Sequence, residues 1–205
     1  MTQSPIKHVV FDIGRVLLHY DPELPFSRII PDDDARLWFF ENICTHEWNV
    51  EQDRGRSWDD AEALLIEQHP DHETHIRAFR SNWHDMVPHA YEDSVAIMRG
   101  LIEDGHDVTM LTNFASDTFR EVQKRFDFLN ETRGVTVSAD IGAIKPDREI
   151  FDTHVAAFGL EPGATLFIDD SPANVDGAQA AGWHAVHFTG ADKLRSDLKT
   201  YGIVA

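Results

Sequence analysis

The chain has 205 residues and carries 18 lysines and arginines against 36 aspartates and glutamates, so its formal net charge is −18. A protein this acidic repels the phosphates of nucleic acids and of anionic membrane surfaces, so we expect neither as a partner. The chain is nevertheless expected to fold, because 42% of its residues are hydrophobic and can bury a sizeable core.

Three features of the sequence bear on where the protein works. No apolar run approaches the ~20 residues that a transmembrane helix needs. The apolar stretch before Asp12 is too short for a secretory signal. Cys44 is the single cysteine, so an intrachain disulfide is impossible and a reducing compartment is favoured. We therefore expect a soluble, cytoplasmic protein.

The N-terminal part of the chain predicts one strand followed by helices. Residues 8–14 read as a short buried strand that ends at an acid and a glycine. Residues 19–89 hold four of the five tryptophans and show no strand alternation. Within them, Ser57 is typical of a residue that caps a helix starting near Asp59. We therefore expect a small all-helical domain inserted after the first strand.

The remainder of the chain, residues 90–205, alternates between apolar strands and amphipathic helices. This alternation predicts an α/β fold in which a doubly wound, Rossmann-like parallel sheet is covered on both faces. The core would then consist of residues 1–18 and 90–205, with residues 19–89 as the inserted domain. Strands are predicted at 107–113, 135–139, 165–170 and 184–188, and helices at 91–104, 115–130, 147–158, 173–181 and 191–200.

Polar residues stand directly after these predicted strands or open the helix that follows. Ligands bind beyond the carboxyl ends of the strands in such sheets, so we expect these side chains to meet there. Three carboxylates in one place are unfavourable unless a cation joins them, and Mg²⁺ prefers such oxygen ligands. The residues concerned are Asp12, Thr112, Asn113, Lys145, Asp169 and Asp170.

The same set can hold and transfer a phosphoryl group. Thr112 and the backbone N–H of Asn113 can bind a phosphoryl oxygen, and Lys145 can neutralise a further negative charge. Asp12 is then placed to act as a nucleophile that forms an aspartyl-phosphate.

The order of these residues resembles the four motifs of the haloacid dehalogenase superfamily of hydrolases, over nearly the whole chain. Residues 19–89 are similar to the helical cap that one large subgroup carries at this position. The first motif, Asp-x-Gly-x-Val, resembles a subgroup that includes sugar-phosphate phosphatases such as glucose-1-phosphatase. The motifs are Asp12, Thr112, Lys145 and the pair Asp169-Asp170.

The resemblance implies a role for each matching position. Asp12 would be nucleophile and metal ligand, the Gly14 carbonyl and Asp170 further metal ligands, and Asp169 a direct or water-mediated partner of the metal. Thr112, Asn113 and Lys145 would bind phosphate. Residues 51–55 resemble the cap loop that faces the active site, which makes Glu51 and Arg54 candidates for substrate binding.

One position departs from the family pattern. Most phosphatases of the family carry a second aspartate two residues after the nucleophile, which serves as general acid and base, whereas this chain has Gly14. General acid–base catalysis is typically worth about 10²–10⁴-fold in rate. Either the leaving group is good or another residue supplies the proton, and Glu51, Asp53 and His46 are the candidates.

The missing acid leaves two alternatives open. A 2-haloacid dehalogenase, with Asp12 attacking carbon, needs no proton donor because a halide leaves unprotonated. The family's dehalogenases need no metal, however, and a metal-free site would leave Asp169 and Asp170 unpaired. A non-catalytic binding or regulatory protein is the other alternative. We expect a Mg²⁺-dependent phosphatase acting on a small phosphorylated metabolite, with a sugar phosphate favoured; the oligomeric state stays open.

Overall fold

A computed structural model describes residues 5–203, and within them five strands form one parallel sheet. The strands are β1 (His8–Phe11), β2 (Asp107–Thr112), β3 (Val135–Val137), β4 (Thr165–Asp169) and β5 (His184–His187). Their spatial order is β3-β2-β1-β4-β5, with every neighbouring pair parallel. The chain therefore winds outward in both directions from a central β1, and the predicted doubly wound α/β fold is confirmed.

All regular structure between residues 19 and 89 is helical. This stretch, called the helical segment below, leaves and rejoins the core at one point, where the His19 N–H donates to the His89 carbonyl at 3.0 Å. Its helices are α1 (Glu23–Ile29), α2 (Asp33–Asn42), α3 (His46–Asp53), α4 (Trp58–Gln68) and α5 (Glu73–Ser81). The core helices are α6 (Glu92–Glu103), α7 (Ser116–Arg125), α8 (Ser138–Ile141), α9 (Arg148–Phe158), α10 (Pro172–Ala180) and α11 (Ala191–Thr200).

Some element ends differ from the sequence-based expectation. The strand β1 stops at Phe11, so Asp12 and Gly14 turn out of the sheet instead of extending it. The strand β3 stops at Val137, because the hydroxyl of Ser138 accepts the Phe114 N–H at 2.9 Å and the chain turns into α8. The predicted helix at 115–130 ends at residue 125, and a separate helical turn follows.

The helical segment and the sheet share one hydrophobic cluster. The rings of Phe26, Phe39 and Phe79 are fully buried inside the segment. The Trp83 ring contacts that of Phe114, which follows β2, with centroids 5.4 Å apart. The Trp58 indole N–H also donates to a carboxylate oxygen of Asp117 in α7 at 3.2 Å. These contacts fix the helical segment against the carboxyl edge of the sheet.

Two observations relate to the expected compartment. No helix among residues 5–203 has the length and apolar character needed to cross a membrane. Cys44 is free and buried, and burial raises the pKa of its thiol. A cytoplasmic location stays a prediction.

Candidate active site

The structure brings the predicted acids and the lysine together at the carboxyl edge of the sheet. Asp12 follows β1, Asp169 ends β4, and Lys145 lies in the loop before α9. The Lys145 ammonium is 2.7 Å from a carboxylate oxygen of Asp12 and 2.7 Å from one of Asp169. All three residues are buried, with at most 7% of their surface exposed. A buried lysine therefore joins two buried carboxylates from adjacent strands.

Both carboxylate oxygens of Asp169 are occupied by protein donors. The Ser171 N–H donates to one oxygen at 2.8 Å, and the Asn174 amide donates to both, at 3.0 and 3.1 Å. Lys145 takes the second oxygen. Asp169 therefore holds Lys145 in place, while the half-buried Asp170 beside it faces Asp12 from the same strand end.

The charges at this edge fit a divalent cation. Asp12, Asp169 and Asp170 each offer one carboxylate oxygen, and these atoms lie within 4.8 Å of one another. Burial and the two neighbouring carboxylates raise the pKa of Asp12, although Lys145 opposes the rise. Burial and Asp169 likewise raise the pKa of Asp170. A hard cation among these oxygens would relieve the repulsion, so the residues present fit Mg²⁺.

The phosphate-binding candidates lie on the neighbouring strand. Thr112 ends β2 and is buried. The Asn113 side chain pairs with the backbone of Lys145: its amide donates to the Lys145 carbonyl at 3.0 Å, and its oxygen accepts the Lys145 N–H at 2.8 Å. Asn113 therefore fixes the loop that carries the lysine, a role for its side chain that the sequence did not reveal.

Replacing Lys145 by methionine is expected to destabilise the fold strongly, because it leaves Asp12 and Asp169 buried without their cation. Breaking a buried ion pair in this way typically costs about 3–5 kcal/mol. Urea unfolding at neutral pH measures the loss. The control is Lys193→Met, which removes an exposed ion pair with Asp197 and should cost less than about 1 kcal/mol. Equal losses in the two variants would contradict the structural role of Lys145.

A cavity of about 80 Å³ lies between the helical segment and the strand ends. Aromatic and aliphatic side chains form most of its wall. The core contributes Gly14, Leu18, Asn113, Phe114, Ala115 and Thr118. The helical segment contributes Tyr20, Asn49, Asp53, Trp58, Trp83 and Val87. The cavity therefore connects Gly14 and Asn113, two of the positions predicted to bind metal and phosphate, to a largely apolar wall.

An open groove of about 710 Å³ reaches Asp170 from the other side. Glu92 and Asp93 also line it, with Arg15 as its basic residue. Carboxylates outnumber the guanidinium here, so the local charge favours a cation over an anionic ester. We therefore expect a phosphorylated substrate in the cavity beside Gly14 and Asn113 and not in this larger groove.

The structure distinguishes between the candidates on α3. Glu51 and Arg54 are exposed; Arg54 lies 3.6 Å from Glu51 and 3.1 Å from Asp147, and neither residue lines the cavity. Their role in substrate binding stays a prediction. Asp53, which was one of three candidate proton donors, does line the cavity together with Asn49. The two are four residues apart and so share a helix face, a signal that the sequence contained.

Comparisons with known proteins find similar sequences and similar folds. A sesquiterpene phosphatase of Aspergillus oryzae is 30% identical over 191 residues, which cover 91% of each chain. The fold matches a haloacid dehalogenase family enzyme of Bacteroides thetaiotaomicron with a TM-score of 0.74, at 20% identity over 95% of this chain and 99% of the other. That enzyme has also been crystallised with magnesium and inorganic phosphate.

A dehalogenase shares the fold as well. The L-2-haloacid dehalogenase of Xanthobacter autotrophicus matches with a TM-score of 0.64, at 16% identity over 98% of this chain and 84% of the other. At such identities the two structural matches establish the fold alone. The family model described as haloacid dehalogenase-like hydrolase matches residues 50–188. The chain therefore belongs to the haloacid dehalogenase-like hydrolases, as its four strand-end motifs predicted.

Proposed function

We propose that this chain is a Mg²⁺-dependent phosphatase that hydrolyses a small phosphomonoester through an aspartyl-phosphate on Asp12. The observation that carries the proposal is the contact of Asp12 with Lys145 beside the Asp169-Asp170 pair, at the end of the central strand. The phosphatase among its relatives supports it, since that protein matches nearly the whole chain.

The residues act in two steps. A carboxylate oxygen of Asp12 attacks phosphorus, the bond from phosphorus to the ester oxygen breaks, and the alcohol leaves with a proton. Water then hydrolyses the aspartyl-phosphate and restores Asp12. Lys145, Thr112 and the N–H of Asn113 neutralise and orient the phosphoryl oxygens throughout.

Asp12, Asp170 and the Gly14 carbonyl would hold the Mg²⁺, with Asp169 as a direct or water-mediated partner. When bound, the ion neutralises the charge of the phosphoryl group. The helical segment would serve as a cap domain that covers the substrate and excludes water. Its position over Asn113 and Gly14, with a cavity between them, supports that role.

The cavity wall favours an apolar leaving group over the sugar that the first motif suggested. Tyr20, Trp58, Trp83 and Phe114 form much of it, and the polar side chains that accompany them are those of Asn49, Asp53, Asn113 and Thr118. The Asn113 side chain is already paired with the Lys145 backbone, so too few groups remain to replace the hydrogen bonds that a sugar makes to water at each hydroxyl group. The relative from Aspergillus oryzae is a sesquiterpene phosphatase, which supports an apolar ester.

A substrate panel with Mg²⁺ tests the proposal. We expect turnover of p-nitrophenyl phosphate, and a kcat/KM for isopentyl phosphate at least about tenfold above that for glucose 1-phosphate. The opposite ranking would restore the sugar phosphate as substrate. Chloride release from 2-chloropropionate without phosphatase activity would support the dehalogenase alternative, and no turnover with either would support a binding or regulatory protein.

A further inference from the structure

The proposed function leaves one chemical requirement unmet, which is the proton for the leaving alcohol. Gly14 offers no side chain where most phosphatases of the family have an acid. The other residues that line the cavity with Gly14 carry aromatic, aliphatic, amide or hydroxyl side chains, with one exception. Asp53, at the end of α3, is the one carboxylic acid among the residues that line this cavity.

Three contacts fix the end of α3 on the core. The Ser138 hydroxyl donates to the Asp53 backbone carbonyl at 2.6 Å. The Arg54 guanidinium donates to Asp147 at 3.1 Å. Gly55 has a φ of +107° and passes so close to α8 that an added Cβ would lie 3.1 Å from the Ala139 carbonyl oxygen. Contacts with the core on both sides of Asp53 therefore fix its position.

The Asp53 carboxyl group is close enough to the proposed nucleophile, Asp12, for their charges to interact. Its oxygen accepts a hydrogen bond from the Ala115 N–H, and the charges of Lys145 and Asp12 both act on it. Burial raises the pKa of Asp53 to about 7, against the opposing effects of Lys145 and Ala115. Burial therefore favours the protonated form of Asp53, which is the form that a general acid needs.

We propose that Asp53 is the general acid of this phosphatase, supplied by the helical segment in place of the acid missing at Gly14. The inference rests on the proposed function. As Asp12 bonds to phosphorus and the ester bond breaks, Asp53 gives its proton to the departing oxygen. The products of this step are the neutral alcohol, the aspartyl-phosphate and the Asp53 carboxylate, which regains a proton from solvent.

His46 and Glu51, the other two candidates, have no place in this step. Both belong to α3, but their side chains are exposed and neither lines the cavity. Glu51 instead lies 3.6 Å from the Arg54 guanidinium. Asp53 differs from both because its position on the helix, one turn after Asn49, directs it toward the strand ends.

Asp53→Asn tests the assignment through the leaving group. The amide oxygen can still accept the Ala115 N–H, but the side chain no longer donates an acidic proton. With Mg²⁺ present, we expect kcat/KM for benzyl phosphate to fall by about 10²–10⁴-fold, because a benzyl alkoxide is strongly basic. For p-nitrophenyl phosphate, whose leaving group needs no proton, the fall should stay below about tenfold. kcat/KM reports the first step and is unaffected by hydrolysis of the aspartyl-phosphate.

Glu47→Gln, an exposed change in the first turn of α3, is the control and should leave both substrates unaffected. Equal losses for both esters in Asp53→Asn, or no loss for benzyl phosphate, would overturn the assignment. Thermal unfolding checks that the Asp53→Asn variant is folded. If Asp53→Asn is destabilised, Asp53→Ser is used in its place. If the wild type hydrolyses p-nitrophenyl phosphate but not benzyl phosphate, the assignment of Asp53 as general acid is refuted and the proposed function stands. If it hydrolyses neither ester, the proposed function is refuted as well.

Discussion

Replacing Asp12 by asparagine is expected to abolish the hydrolysis of p-nitrophenyl phosphate, with turnover falling by at least about 10⁴-fold. The amide cannot act as the nucleophile, and the neighbouring Asp169 cannot take over. Asp169 has both oxygens bound by Lys145, Asn174 and Ser171. Because the p-nitrophenolate leaving group needs no proton donor, the loss of turnover reports the contribution of the nucleophile and is independent of Asp53.

The fold should survive this change. Lys145 keeps its contact with Asp169, so it retains an anionic partner after Asp12 is neutralised. The control is Asp152→Asn, an exposed carboxylate on α9 that pairs with Arg148 and lies outside the site; its turnover should match that of the wild type. Undiminished turnover in a folded Asp12→Asn variant would refute the assignment of the nucleophile.

EDTA is expected to abolish the phosphatase activity of the wild-type protein, and added Mg²⁺ is expected to restore that activity fully. Asp169 and Asp170 raise the pKa of Asp12, and Asp169 raises that of Asp170, so the repulsion among these carboxylates favours binding a cation. Binding to the folded state alone should also raise the melting temperature as the Mg²⁺ concentration rises.

Asp170→Asn separates this metal effect from a general effect of charge. Without one anionic ligand, the Mg²⁺ concentration for half-maximal activity should rise by at least about tenfold, and the melting temperature should respond less to Mg²⁺. Asp176→Asn, exposed on α10, removes the same charge nearby and should change neither quantity. Chelator-resistant activity in the wild type would contradict the requirement for a metal.

The sheet and the residues at its edge could be read from the sequence, because both depend on local patterns. Apolar runs interrupted by helices indicate parallel strands, and the rule that ligands bind at strand ends selects the acids that follow them. Asp12, Lys145 and Asp169 therefore met as expected, although their roles stay predictions until tested. The sequence also predicted that Ser57 caps α4, and its hydroxyl accepts the Asp60 N–H at 3.1 Å.

What the sequence could not provide depends on contacts between distant parts of the chain. The hydrogen bond from the Asn113 side chain to the Lys145 backbone joins residues that are 32 positions apart. Strand β3 ends early because the Ser138 hydroxyl accepts the Phe114 N–H and donates to the Asp53 backbone carbonyl. Which acid of α3 enters the cavity likewise follows from how the helical segment packs against the core, which local propensity does not specify.

The contacts that hold α3 on the core have a cost for binding. Any outward movement of α3 that enlarges the cavity for a bulkier ester would break the Ser138 bond to Asp53 and the Arg54 bond to Asp147. Two such bonds contribute together about 1–3 kcal/mol, a free energy that the binding of such an ester has to offset. An ester that fits without this movement avoids the cost, so weakening either bond should tighten the apparent binding of bulky esters more than that of small ones.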